Sequence, residues 1–155
     1  MQAEAAPRKR VVVGIDGSPA SYAALRWSVD YARMAGAQVE AVAAYDVAGA
    51  TGWSAPAVDA TLDAEQARRT LNREIITALG MPQDVPVEEH LVRGNAAQAL
   101  IAASEGAELL VVGNRGRGGF ARLLLGSVSQ QCALHASCPV VILRAPEDTT
   151  EAAAT

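Results

Sequence analysis

The chain has 155 residues, half of them apolar and 19% charged, which suits one globular domain and leaves no room for a second. Its net charge of −4 is mild and of the wrong sign for a dedicated nucleic-acid or anionic-membrane binder, so neither partner is expected. Two cysteines, Cys132 and Cys138, cannot build the disulfide framework of a small secreted domain, and neither an export signal nor a membrane-spanning apolar run is visible. A cytoplasmic protein is expected.

Residues 10–16, RVVVGID, form a β-branched run without polar alternation, the pattern of a strand covered on both faces of a parallel sheet. Ser18 then offers an N-cap and Pro19 suits the first helical position. Ala20, Ala24, Trp27, Tyr31 and Ala35 recur at helical spacing until Gly36 stops the pattern. Residues 38–45, QVEAVAAY, read as a second strand diluted by alanine. From Asp46 to Pro56 the small and turn-forming residues carry no period, which predicts a loop with Trp53 as its one large anchor.

A second helix is predicted from about Val58 to Leu79, with Leu71, Ile75 and Leu79 on one stripe. Residues 86–92 read as a third strand, and Asn95 with Gln98 forms a capping box for a third helix ending near Gly106. Leu109 to Val112 is the densest apolar run and the fourth strand. After a glycine-rich segment, Ser127 with Gln130 reads as a second capping box, opening a helix that should stop at Cys138 because Pro139 follows. The last strand is 139–144, PVVILR, and residues 1–8 and 146–155 are expected to be flexible tails around a domain at 9–145. Strands alternating with helices in this way predict an α/β fold, a single open parallel sheet with helices on both faces.

In such a sheet, ligands bind beyond the carboxyl ends of the strands, where strand order reverses. That rule selects Gly14-Ile15-Asp16-Gly17-Ser18 after the first strand and Gly113 to Ser129 after the fourth. In the latter, Gly113, Gly116, Gly126 and Ser127 spell G-x2-G-x9-G-S. With 13 glycines and 15 Ser or Thr in the chain, composition alone would produce that spacing in about 1% of such sequences. Glycines let backbone N–H groups approach phosphate oxygens, Ser127 adds a hydroxyl at a helix start, and Arg115 and Arg117 add positive charge. A Walker A loop is excluded, because Gly126 and not lysine precedes Ser127. Gly116-x-Gly118-x-x-Ala121 is not a dinucleotide fingerprint, since it follows the fourth strand and no acid ends the next one.

Asp16 could accept ribose hydroxyls or help hold a cation, or simply close an Asx turn over Gly17 and Ser18. A phosphorelay receiver is disfavoured, because Arg93-Gly94 stands where its phosphoacceptor acid would lie. Cys132, His135 and Cys138 drift round a helix with no fourth ligand, so packing is the better reading than zinc. His90 reads as a packed strand residue, with no nucleophile beside it.

Taken together, VVVGIDGS, VRGNAAQAL and LLVVGNRGRGGFARLLLGSVSQQCALHASCPVVILR resemble the universal stress protein family over residues 9–144, and the G-x2-G-x9-G-S spacing resembles its ATP-binding branch. The resemblance implies a Rossmann-like, adenine nucleotide alpha-hydrolase-like sheet of order 3-2-1-4-5. It implies a nucleotide site at Gly14, Ile15 and Asp16, with Asp16 toward the ribose and the backbone of Ala44 toward adenine. Gly113, Arg115 and Gly116, with Gly126, Ser127, Val128 and Ser129, would surround the phosphates, bridged by Mg²⁺ or Mn²⁺. It further implies a homodimer through 139–144 and a stress or dormancy regulator with at most slow ATP hydrolysis or autophosphorylation. A phosphohydrolase or kinase, a cyclic AMP binder and a nucleotide-free scaffold are the alternatives.

Overall fold

The computed structural model describes residues 7–45, 60–80, 84–116 and 124–146. The expected 46–57 loop with Trp53, residues 117–123 of the glycine-rich segment and most of both tails lie outside the described residues. The chain runs β1 (Arg10–Gly14), α1 (Pro19–Ala35), β2 (Gln38–Tyr45), α2 (Ala60–Leu79), β3 (Val87–Arg93), α3 (Ala96–Ala103), β4 (Leu109–Gly113), α4 (Ser127–His135) and β5 (Val140–Leu143). All strand pairs are parallel, in the order β3-β2-β1-β4-β5 that the resemblance implied.

Two cores follow from strand alternation. Val11, Val13, Val39, Ala41 and Val111 face α1 and α2, meeting Leu25, Val29, Leu71 and Ile75. Val12, Val42, Leu110 and Val112 face α3 and α4, meeting Leu100 and Cys132. Val11, Val12 and Val13 are all fully buried, which is why β1 shows no polar alternation. Each such side chain contributes about 1.5–3 kcal/mol.

Helix ends obey local chemistry. Ser18 caps α1 by accepting from Ser21 N at 3.1 Å, Pro19 is its first residue, and Gly36 closes it at φ +69°. Asn95 caps α3 by accepting from Gln98 N at 3.0 Å. That helix stops at Ala103, short of Gly106, because Ser104 turns its hydroxyl back to Ile101 O at 2.8 Å. Two expectations for α4 are corrected. Its N-cap is Gly126, in extended backbone and with no side-chain cap bond, so Ser127 is the first helical residue. It ends at His135 rather than Cys138, because Ala136 is already extended at ψ 144°.

Candidate functional site

The site exists because β1 ends before both of its neighbours do. Gly14 pairs with Val42, and Ile15 N gives the last bond from this strand to Val42 O at 2.9 Å, yet β2 runs on to Tyr45. Backbone groups alternate sides along a strand, and Tyr45 O accepts from Gly94 N on the β3 side. Ala44 therefore directs its own N–H and C=O the other way, past the end of β1. On the far flank, Val13 pairs with Val111, and Asn114 N donates to Leu143 O on the β5 side. Gly113 accordingly faces the same gap.

The gap opens into a cavity of about 220 Å³. Every one of the eleven expected site residues lines it: Gly14, Ile15, Asp16, Ala44, Gly113, Arg115, Gly116, Gly126, Ser127, Val128 and Ser129. Val42, Val112, Ala96 and Leu100 supply an apolar wall that the sequence reading missed. An added Cβ at Gly14 would come 2.9 Å from Leu100 Cδ1, so the strand end and α3 are already in contact. A second cavity of about 340 Å³, lined by Tyr45, Thr70 and Glu74 among others, shares Ile15, Asp16 and Ala44 with the first.

The motif glycines are not equivalent. A Cβ at Gly113 would lie 2.7 Å from Ala20 Cβ and 2.8 Å from its carbonyl carbon, so this glycine lets β4 pack against α1. A Cβ at Gly116 would collide with Asp16 Oδ2. At Gly126 a Cβ would meet nothing nearer than 3.6 Å, and the backbone is extended at φ −77°, so the protein's own packing does not demand glycine there.

Asp16 divides its carboxylate between two tasks. Oδ1 accepts from Ser18 N at 2.9 Å, which is the Asx turn, while Oδ2 reaches the glycine loop at Gly116. Ser129 is buried and spends its hydroxyl on the carbonyls of Asn114 and Gly126, both at 3.0 Å. Ser127 is exposed, and its hydroxyl is not consumed as a cap.

Asn114, also missed from sequence, is the clasp of the loop. Its carbonyl accepts from Gly126 N at 2.7 Å and from Ser129, its N–H donates to Leu143 O at 2.7 Å, and its side chain donates to Leu124 O at 3.3 Å. It is one of the variable positions between two motif glycines, so spacing alone carries no sign of it. Among the described residues lining the cleft, Asp16 is the one carboxylate and Arg115 the one cation.

The other chemistry-bearing residues lie elsewhere. Cys132 is fully buried in the second core, and burial pushes its thiol up to about 11, which agrees with the packing reading. His90 departs from expectation: it is on edge strand β3 with its side chain 40% exposed beside Glu88, and it is not a core residue.

Residues 7–144 match the family model described as the universal stress protein family. The chain belongs to the universal stress protein family. A universal stress protein of Mycobacterium tuberculosis is 34% identical over 134 residues, covering 86% of this chain but only 44% of that relative. The chain thus spans less than half the length of the curated relatives it matches. A universal stress protein solved in complex with cAMP is 28% identical at a TM-score of 0.61, covering 90% of this chain and 98% of that one. One from Archaeoglobus fulgidus, solved with dAMP, shares the fold at 22% identity and a TM-score of 0.56, covering 87% of this chain and 97% of that one. The glycine-lined cleft lies at the switch point of the sheet, between β1 and β4. No helix among the described residues is long and apolar enough to cross a membrane.

Proposed function

We propose that this universal stress protein binds an adenine nucleotide in the cleft, with ATP as the ligand and the bound state as the signal. The observation that carries the reading is Gly126. Nothing among the described residues crowds its Cβ position, and a ligand that must come close to the backbone would explain the glycine. The Ala44 backbone offers a donor and an acceptor to a base edge, Val42, Val112 and Leu100 offer it an apolar wall, and Asp16 suits a ribose hydroxyl. The N-terminus of α4, with a free cap position at Gly126 and the unconsumed Ser127 hydroxyl, suits phosphate.

At about 220 Å³ the cavity is smaller than the roughly 300–1,000 Å³ usual for small-molecule sites. It suits the nucleoside, with the phosphates on the glycine loop at its rim. Mg²⁺ or Mn²⁺ fits this donor set as an ion carried mainly by phosphate oxygens, with Asp16, the one carboxylate among the described lining residues, to assist; when bound it would neutralise phosphate charge.

Binding rather than turnover is favoured by the lining. Asp16 already commits one oxygen to the Ser18 turn, and no other described lining residue is a general base. The relative solved with cAMP supports adenine recognition and keeps cyclic AMP as the rival ligand. A homodimer through β5 is proposed as well, since that strand ends the sheet with one side unpaired among the described residues.

The test is to purify the protein without added nucleotide, denature it, and identify released small molecules by chromatography and mass spectrometry. ATP near one per chain supports the reading. An empty protein that gives no calorimetric heat with ATP, ADP or cyclic AMP in the presence of Mg²⁺ overturns it and leaves a nucleotide-free scaffold.

A further inference from the structure

Outside the residues that line the cleft, three donors converge on the face of the sheet that α3 and α4 pack against. Glu40 on β2 and Glu88 on β3 are partners in the ladder, and His90 stands two residues beyond Glu88. The two-residue period puts all three side chains on one face, the one that carries Val12 and Val42. A ligand atom from each lies within 4.8 Å of those of the other two.

His90 Nε2 is 3.4 Å from Glu88 Oε1, yet it makes no hydrogen bond and is closed off from solvent. A sequestered imidazole nitrogen ordinarily finds a partner. Glu40 is only 8% exposed, and Arg10 Nη1 donates to its Oε2 at 2.8 Å. Arg10 is itself anchored on the carbonyls of Ala103 and Glu105, at 3.2 and 2.6 Å. A carboxylate oriented by a fixed guanidinium is how outer groups steady a metal ligand.

The geometry points to a divalent transition-metal site of the zinc class, formed by Glu40, Glu88 and His90 and separate from the nucleotide cleft. One imidazole with two carboxylates selects such an ion over Mg²⁺ or Ca²⁺, which favour all-oxygen sets. Donors on a tetrahedral Zn²⁺ at about 2.0–2.1 Å lie about 3.4 Å apart, and the His90–Glu88 pair already has that separation. Two carboxylates against the Arg10 charge leave one negative charge for the ion to balance. Glu88 is exposed, so a water completes the coordination. The bound ion ties the outermost strand, β3, to β2.

The test uses the full-length, tag-free chain and ZnCl₂, with a chromogenic chelator as competitor and thermal unfolding alongside. One Zn²⁺ per chain with a micromolar or tighter Kd is expected. His90→Ala and Glu88→Gln should each weaken it at least about tenfold, while His135→Ala and Cys138→Ser leave it unchanged. In the unsubstituted protein, Zn²⁺ should shift the ring resonances of His90 and not those of His135, a readout independent of how the variants fold. Absence of stoichiometric binding, binding that survives His90→Ala, or shifts at His135 alone overturns the site.

Discussion

Asp16 and Gly116 stand so close that any side chain at position 116 would strike Asp16 Oδ2, although the two lie 100 positions apart in the sequence. The other oxygen of the same carboxylate holds Ser18 N at 2.9 Å. One side chain thus fixes the turn that starts α1 and leaves no space for a side chain at position 116 of the glycine loop.

Gly113→Ala and Gly126→Ala should separate packing from ligand approach. The first drives a methyl into Ala20 and its backbone, and overpacking of this kind costs about 1–3 kcal/mol. The second should leave stability within about 0.5 kcal/mol and weaken ATP binding at least about tenfold. Denaturant unfolding and calorimetry on both variants check this. Equal binding by Gly126→Ala and the parent protein would remove the main support for the nucleotide reading.

Asp16→Asn retains an oxygen for the Asx turn and loses the charge. Hydrogen bonds to charged groups contribute about 1.5–3 kcal/mol, so affinity for ATP should fall about 10- to 100-fold. Stability should change little. Asp16→Ala loses the turn as well and should lower the melting temperature in addition, which thermal scans of the two variants will show.

The β5 edge offers a clean backbone test. Pro139 O accepts from Leu110 N and Leu143 O accepts from Asn114 N, so the odd residues face β4 and Ile142 turns its N–H to the free side. Ile142→Pro removes that outward donor without breaking a ladder bond within the chain. Sedimentation should report a monomer with nucleotide binding retained. A variant that stays dimeric places the interface elsewhere.

Stability should also decline in alkali. Burial raises the Cys132 thiol from 9.0 to about 11, and the hydrogen bond to Glu108 raises Tyr31 from 10.0. The folded state then holds protons that the unfolded chain releases, so the contribution is complete below about pH 9 and is lost as pH rises through about 11. Cys132→Ala should flatten that decline in denaturation curves measured between those limits. The Arg33 guanidinium holds Asp84 low, at 2.8 and 2.9 Å, which acts in the opposite direction and only in acid.

Much of this architecture is legible in the sequence because its signals are local. Ser18-Pro19 and Gly36 bound α1, and three consecutive valines declare β1 buried. Where the reading slipped, the cause was tertiary. Ser127 looks like a cap, but Asn114 O draws in Gly126 N and moves the helix start back by one residue. Helix α4 has room to reach Cys138, yet the chain must straighten at Ala136 to enter β5. His90 alternates with Val92 as a core residue would, but β3 is an edge strand whose Val92 is also exposed. Asn114 and Leu100 carry no motif, and only the folded chain shows what they hold.

The clasp at Asn114 has a mechanical corollary. The residue whose carbonyl holds the glycine loop is also the one whose N–H completes the ladder to Leu143 on the edge strand β5. No freely rotating side chain intervenes between the two bonds, and both are 2.7 Å long. The two groups belong to adjacent rigid peptide planes that meet at the Asn114 Cα, so only that residue's φ and ψ separate the grip on the glycine loop from the grip on β5. The glycine loop and the sheet's outer margin are therefore moored to the same residue.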